Sequence, residues 1–223
     1  MKKKYWVIIV MLLVLIIDQV SKIYIKTNFS YGGSFNILGL DWVRIYFVEN
    51  EGMAYGLQLG GDYGKLLLSV FRIIMVVVLL FLLVKLVKAN EKLSLLISFS
   101  LIIAGAMGNI IDSAFYGMIF SETPQFHGGI AQLFPQEGGY ASFLHGKVVD
   151  MLYFPMIDTH LPDWLPKWGG DRFIFFQPIF NIADSAITVG VVSLLLFNRS
   201  FFTRKEDKGI NETTTKKESS EEE

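Results

Sequence analysis

Phe176–Phe197 reads FQPIFNIADSAITVGVVSLLLF, and the fold turns on how this stretch is read. It is apolar along almost its whole length and long enough for a membrane-crossing helix, which needs about 20 such residues. Yet Asn181 and Asp184 lie inside it. An ionised Asp in the middle of a span costs about 2.5–3.5 kcal/mol on insertion scales, so an acid retained there is first a candidate for function. Three residues apart, the two share a helix face. Pro178 suits a helix start just ahead of them, which puts Asp184 at least one turn inside, beyond a capping position.

Three further apolar blocks extend the pattern: Tyr5–Ile17, Leu66–Val84 and Leu93–Ile111. The first reaches spanning length only if it continues through DQVSKIYI. Of the 223 residues 52% are apolar, above the usual share for a soluble domain. The expectation is an all-α membrane protein of four transmembrane helices in residues 1–198. It has two extracytoplasmic loops, 27–64 and 117–176, the first containing a small β element. Lys2–Lys4, Lys85, Lys88 and Lys92, and Arg199, Arg204, Lys205 and Lys208 all fall on one side of a four-span path. Positive charge at span ends marks the cytoplasmic side, so both termini are expected there. MKKKYWVIIVMLLVLIID resembles a secretory signal, but no small-residue cleavage site follows, and it reads as an uncleaved anchor. Residues 199–223, polar and charge-rich, read as a disordered cytoplasmic tail. The net charge of −1 leaves no nucleic-acid footprint. With no cysteine, thiol catalysis, disulfides and thiolate metal sites are excluded, as is lipid modification of the chain itself.

Depth follows from counting at 1.5 Å per residue from the basic anchors. Asp18 lies about 21 Å in, Asp184 about 22 Å, and Asn109 and Asp112 about 25–30 Å. Polar groups of three spans therefore share one layer towards the outer leaflet of a core about 30 Å thick. Each also has a plainer reading. Asp18 and Lys22, four apart, form a local ion pair or support a site. Asn109 and Asp112 follow AGAMG, whose glycines allow close helix packing. Arg72 either snorkels or pairs with an acid. NEGMAYG, Asn50–Gly56, is a hairpin turn or part of a site. Asp150 lies in HGKVVDMLYFP, a short apolar run at the membrane surface. His127, His145 and His160 do not form an H-E-x-x-H helix, and neither a G-x-S-x-G elbow nor a phosphate loop is present. The acids remain as chemical candidates.

Taken in order, DQVSK (Asp18–Lys22), NEGMAYG (Asn50–Gly56), GAMGNIIDS (Gly105–Ser113), VVDM (Val148–Met151) and FNIADSAI (Phe180–Ile187) resemble the five boxes of the lipoprotein signal peptidase (signal peptidase II) family. The resemblance implies a bacterial inner-membrane aspartic endopeptidase of four transmembrane helices. Such enzymes remove the signal peptide from diacylglyceryl-modified prolipoproteins just before the modified cysteine. It implies Asp150 and Asp184 as the catalytic pair. It also implies supporting or substrate-binding roles for Asp18, Lys22, Asn50, Gly52, Ala54, Gly108, Asn109, Asp112, Asn181 and Ala183. No metal or organic cofactor is implied. The partners are prolipoprotein substrates, membrane lipids and globomycin-type inhibitors, and the expected state is a monomer with its site near the outer leaflet.

Three departures stand out. Ser113 occupies a place where the family usually has Arg, and Arg72 is a candidate to supply that charge from another helix. Tyr55 and Met151 replace Phe. Gly117–Gly146 is longer than the usual connection and reads as an added outer loop, a lid or a partner surface. Two other functions compete: a proton- or ion-coupled carrier relaying charge through Asp18, Asp112 and Asp184, and a non-enzymatic membrane scaffold. The apolar cytoplasmic halves, VVVLLFLLV and VSLLLF, argue against a through-path.

Overall fold

The computed structural model describes residues 2–50, 61–126, 128–199 and 201. Helices α1 (Lys3–Asn28), α2 (Gly61–Lys88), α3 (Leu93–Ile111) and α5 (Ile182–Phe197) form a bundle. A π-helical turn, Asp112–Tyr116, and the short α4 (Gly117–Ile119) prolong α3. Lys3–Asn28, Tyr63–Lys88 and Leu93–Ile119 are long and apolar enough to cross a membrane. At 16 residues, α5 measures about 24 Å, somewhat short of a bilayer core.

The α3 helix sits at the centre and packs on α1, α2 and α5. Its glycines explain how closely. A Cβ on Gly105 would strike the Ala183 carbonyl oxygen, and one on Gly108 would lie 2.6 Å from Asp18 Oδ2 and 3.1 Å from the Ala183 methyl. Small residues let backbones approach where burial from water supplies little drive between helices. The opposite faces are apolar and exposed, as at Leu12 and Ile16 on α1, Phe71 and Phe81 on α2, and Leu195 and Leu196 on α5, which is how a lipid-facing surface is composed. On α1 the inward stripe runs through Val7, Asp18, Lys22, Ile25 and Lys26, so one helical face carries both apolar packing and charge.

One end of the bundle gathers the start of α1, the α2–α3 turn and the end of α5. Lys3 Nζ donates to the carbonyls of Asn90 and Glu91 in the α2–α3 turn, and Ser94 donates to Asn198 just past α5. The other end carries the sheet.

The sheet corrects the all-α expectation. Both loops supply strands: β1 (Ser34–Asn36) and β2 (Arg44–Asn50) from the first, β3 (Val148–Tyr153) and β6 (Ile179–Phe180) from the second. They form an antiparallel sheet in the order β1-β2-β3-β6. A separate hairpin pairs β4 (Ile157–His160) with β5 (Arg172–Phe175). In β3, Val149 and Met151 face Ile25, Phe47, Tyr116 and Phe120 in a core beneath the sheet. Period two therefore turns Val148 and Asp150 to the other side.

The long loop after α4 is tied down. Lys26, fully buried at the outer end of α1, donates to Glu49 and to Thr123 Oγ1, and its ammonium lies 5.2 Å from the ring centres of Phe120 and Tyr140. Backbone bonds from Tyr140, Ala141 and Gly146 to Phe120, Gly117 and Ser113 fasten the loop onto the end of α3. One cation thus joins α1, β2 and the added loop.

Candidate active site

The fourth apolar block does not begin as a helix. Ile179 and Phe180 are strand, Asn181 is the N-cap of α5 and Asp184 is its third residue. Asp184 was expected at least a turn deep. Instead the two form a capping box: the Asp184 N–H donates to Asn181 Oδ1 at 2.9 Å, and the Asn181 N–H donates to Asp184 Oδ2 at 3.3 Å. The strand forms because Ile179 and Phe180 pair with Tyr153 and Leu152 of β3. The carboxylate therefore sits in the first turn of α5, at the positive end of a helix dipole, and not in the middle of the helix.

Asp150 reaches the same place from the sheet. β2 takes three steps from Ile45 to Val48 while β3 takes two from Leu152 to Asp150, which is a bulge beside the acid. Beyond it, Val48 lies opposite Asp150 and Asn50 opposite Val148, so Asn50 and Asp150 are diagonal neighbours on one face. Asn50 donates to Asp150 Oδ2, and Asn181 Nδ2 donates to Asp150 Oδ1 at 2.7 Å. The same Asn181 amide donates to Asn109 Oδ1 at 3.1 Å, while Asn109 Nδ2 donates to Asp184 Oδ1 at 2.8 Å. Asn181 thus touches both acids, one through its side chain and one through its backbone. Asp150 is buried and Asp184 half-buried. Burial first, and then the negative charge of Asp184, push the Asp150 carboxyl up to about 8.

Behind the pair stands a buried ionic core. Lys22 Nζ lies 2.9 Å from Asp18 Oδ2, 2.8 Å from Asp112 Oδ2 and 2.9 Å from Asn109 Oδ1. The Ala183 N–H donates to Asp18 Oδ1 at 2.9 Å. Lys22 and Asp18 are therefore more than a local pair, since they lock α1 to α3 and to the first turn of α5. Asn109 links this core to Asp184, which goes beyond packing alone. All three charged side chains are fully buried, and among the described residues no buried side-chain nitrogen or oxygen lacks a partner. A buried charge persists only when so satisfied.

Gln19 was passed over in the sequence although it lies within DQVSK. Its amide donates to Asp112 Oδ1 at 2.9 Å and to the Gly108 carbonyl at 3.2 Å, and it accepts from Tyr116. Tyr116 stands four residues after Asp112, a helical spacing that would have flagged it. Ser113 is buried, and its hydroxyl donates to the Asn109 carbonyl one turn back, so it is satisfied locally without charge. Arg72 lies on the inward stripe of α2 with Lys65, Ser69 and Val76, and within electrostatic range of Asp184, Asp150 and Asp112. Gly52 and Ala54 lie outside the described residues. Among the described residues, no three His, Asp or Glu are grouped to hold a metal ion.

The chain resembles known proteins over most of its length. A lipoprotein signal peptidase of Porphyromonas gingivalis is 52% identical over 185 residues, covering 82% of this chain and 78% of that one. One from Amoebophilus asiaticus is 37% identical over 204 residues, covering 90% and 80%. A bacterial membrane enzyme solved by the in meso method at 2.3 Å overlays with a TM-score of 0.55 at 26% identity, covering 89% of this chain and 90% of that one. The family described as signal peptidase (SPase) II matches residues 10–201. With that match spanning the bundle, the sheet and every box quoted above, the chain belongs to the signal peptidase II family.

Proposed function

We propose that this chain is a membrane-embedded aspartic endopeptidase. It cleaves the signal peptide from diacylglyceryl-modified prolipoproteins just before the modified cysteine, with Asp150 and Asp184 as the catalytic pair. The observation that carries this reading is the bridge through Asn181, which holds an acid from β3 and an acid from α5 on one frame. Family membership supplies the substrate class.

The two acids have unlike surroundings, and that divides their roles. Asp150, buried beside a second acid, keeps its proton at neutral pH. Asp184 lies at a helix N-terminus and accepts from two N–H donors. Asp184 takes a proton from water as the water oxygen attacks the scissile carbonyl carbon, and Asp150 gives its proton to the carbonyl oxygen. The tetrahedral intermediate then collapses, the C–N bond breaks, and a proton passes to the leaving amine. One water is consumed, an acid and an amine are released, and the pair again holds one proton.

The other residues position these two. Lys22, Asp18 and Asp112 hold three helices together, Gly108 leaves room for Asp18, and the Ala183 N–H fixes the start of α5 on it. Asn109 aims Asp184, while Asn50 and Asn181 aim Asp150. Gly52 and Ala54 belong by motif to the substrate-binding side. Lys2–Lys4 lie beside the α2–α3 turn at the end away from the sheet, which supports cytoplasmic termini and a site at the outer leaflet. A signal helix followed by a lipid-bearing cysteine presents its cleavage point at that level. Hydrolysis needs water there as well, and Asp184 is the more exposed acid. The enzyme acts as a monomer in the inner membrane and is open to globomycin-type inhibitors.

The test uses purified protein in proteoliposomes with a diacylglyceryl-modified prolipoprotein. Asp150→Asn and Asp184→Asn are each expected to insert normally and to cut nothing, while the wild type cuts and is blocked by globomycin. Near wild-type processing by either variant would remove the assignment.

A further inference from the structure

The β4–β5 hairpin plays no part in the site, and its two faces differ in kind. Directly opposed residues in an antiparallel pair share a face, so Ile157 with Phe175 and Thr159 with Phe173 form one side, and Asp158 with Ile174 and His160 with Arg172 form the other. The second side is wet: Arg172 Nε and Nη2 donate to the two Asp158 oxygens at 2.8 and 2.6 Å. On the first side Ile157, Phe173 and Phe175 are all exposed. Between the strands, backbone bonds from Gly169, Gly170 and Asp171 to Leu165, Leu161 and Trp168 close a compact tip. That tip holds out Trp164 and Trp168, 77% and 60% exposed.

In water this arrangement is a poor one. A two-stranded hairpin alone is marginally stable, and among the described residues β4 and β5 join no other sheet. A contiguous apolar face with two bare indoles is an association hazard unless something covers it. Its location names the cover. Phe154 and Phe176, at the roots of the hairpin, pack on Phe180 at 5.5 and 5.9 Å between ring centres. Phe180 immediately precedes the N-cap of α5. The hairpin thus leaves the bundle directly before the start of α5, one of its apolar helices. Indole rings settle at the membrane–water boundary, apolar body inward and N–H towards the headgroups.

We propose that the hairpin Ile157–Phe175 is a membrane-surface anchor, its Ile157–Phe173–Phe175 side and the tip indoles Trp164 and Trp168 resting on the outer-leaflet lipid beside the active site and its Asp158–Arg172 side facing water. It acts as an interfacial element, buried about 5–10 Å into the headgroup region. In that position it sets the height of β6 and hence of the Asn181 cap.

The absence of cysteine makes the test direct. Thr159→Cys and His160→Cys are neighbours on opposite faces, both at exposed positions. Each is spin-labelled in the otherwise unchanged full chain and reconstituted into phosphatidylcholine–phosphatidylglycerol vesicles without substrate. Collision with oxygen, which concentrates in lipid, is compared with collision with a water-soluble nickel chelate. The anchor predicts that the Thr159 label meets oxygen severalfold more than nickel, that the His160 label shows the reverse, and that detergent-free lipid is required for the contrast. Equal nickel access on both faces would overturn it. So would dipolar broadening between labels of two copies, which marks a self-association face. Protection of the Thr159 label only after prolipoprotein is added would overturn it in favour of a substrate surface. Both labelled variants must retain cleavage, so failure of the anchor stays separate from failure of the catalytic reading.

Discussion

Raising the pH is the perturbation that probes the division of labour between the two acids most directly. The Asp150 carboxyl is held up at about 8 by burial and by the charge of Asp184, against the opposing pull of Lys22 and the Asn181 amide. At pH 7 such a group is protonated in about ten molecules for each one ionised, and at pH 9 the ratio inverts. Since hydrolysis needs one proton on the pair, the rate should be level through neutrality and fall about tenfold for each unit above pH 8. Stability follows the same sign. The folded state holds a proton that the unfolded chain releases near the ordinary value of 3.8. This contribution is therefore fully present below that value and lost as pH rises through about 8. The assay is initial cleavage rate against pH in proteoliposomes, paired with the infrared band of a protonated carboxyl at pH 7. Asp184→Asn, which removes the neighbouring charge, should move that band's titration to lower pH, and Asp150→Asn should abolish it. A rate unchanged from pH 7 to 10, or a band that survives Asp150→Asn, would refute the reasoning.

Two changes behind the site should act through packing and charge. Lys22→Met strands two fully buried carboxylates and should cost about 3–5 kcal/mol in unfolding experiments in detergent; adding Asp112→Asn should recover part of the loss, and strict additivity would argue against the network. Gly108→Ala puts a methyl 2.6 Å from Asp18 Oδ2 and should cost about 1–3 kcal/mol together with activity, because Asp18 holds the Ala183 N–H; wild-type stability and rate would show that α1 and α3 can part without harm.

The bundle was legible because a bilayer imposes length and composition at once, and long apolar blocks ended by Lys or Arg satisfy few other folds. That Asp18, Asn109 and Asp112 share one layer of the bundle was equally legible, since a helix rises by a constant step and residue counting becomes distance. Asp184 joins that layer too, but its place within the helix was not legible. PIFNIAD is apolar enough to read as helix, and only the pairing of Ile179 and Phe180 with β3 ends the strand at Asn181 and turns Asp184 into a cap. The sheet was half hidden for a related reason: β1 and β6 are three and two residues long, too short for periodicity to register, and their partners lie far away in sequence. The β4–β5 hairpin was hidden in the same way, its strands being four residues each.

What the sequence determined by itself is therefore the inventory: apolar spans, the basic clusters at their ends, five ordered motifs and the acids within them. Composition and spacing along one chain suffice for those. Tertiary structure alone decided the geometry: that Lys22 and Asp18 together join three helices, that a β2 bulge sits beside Asp150 while Asn50 reaches it, and that Asn181 bridges the two acids. Such contacts depend on where separate segments meet in space, which local propensity does not encode.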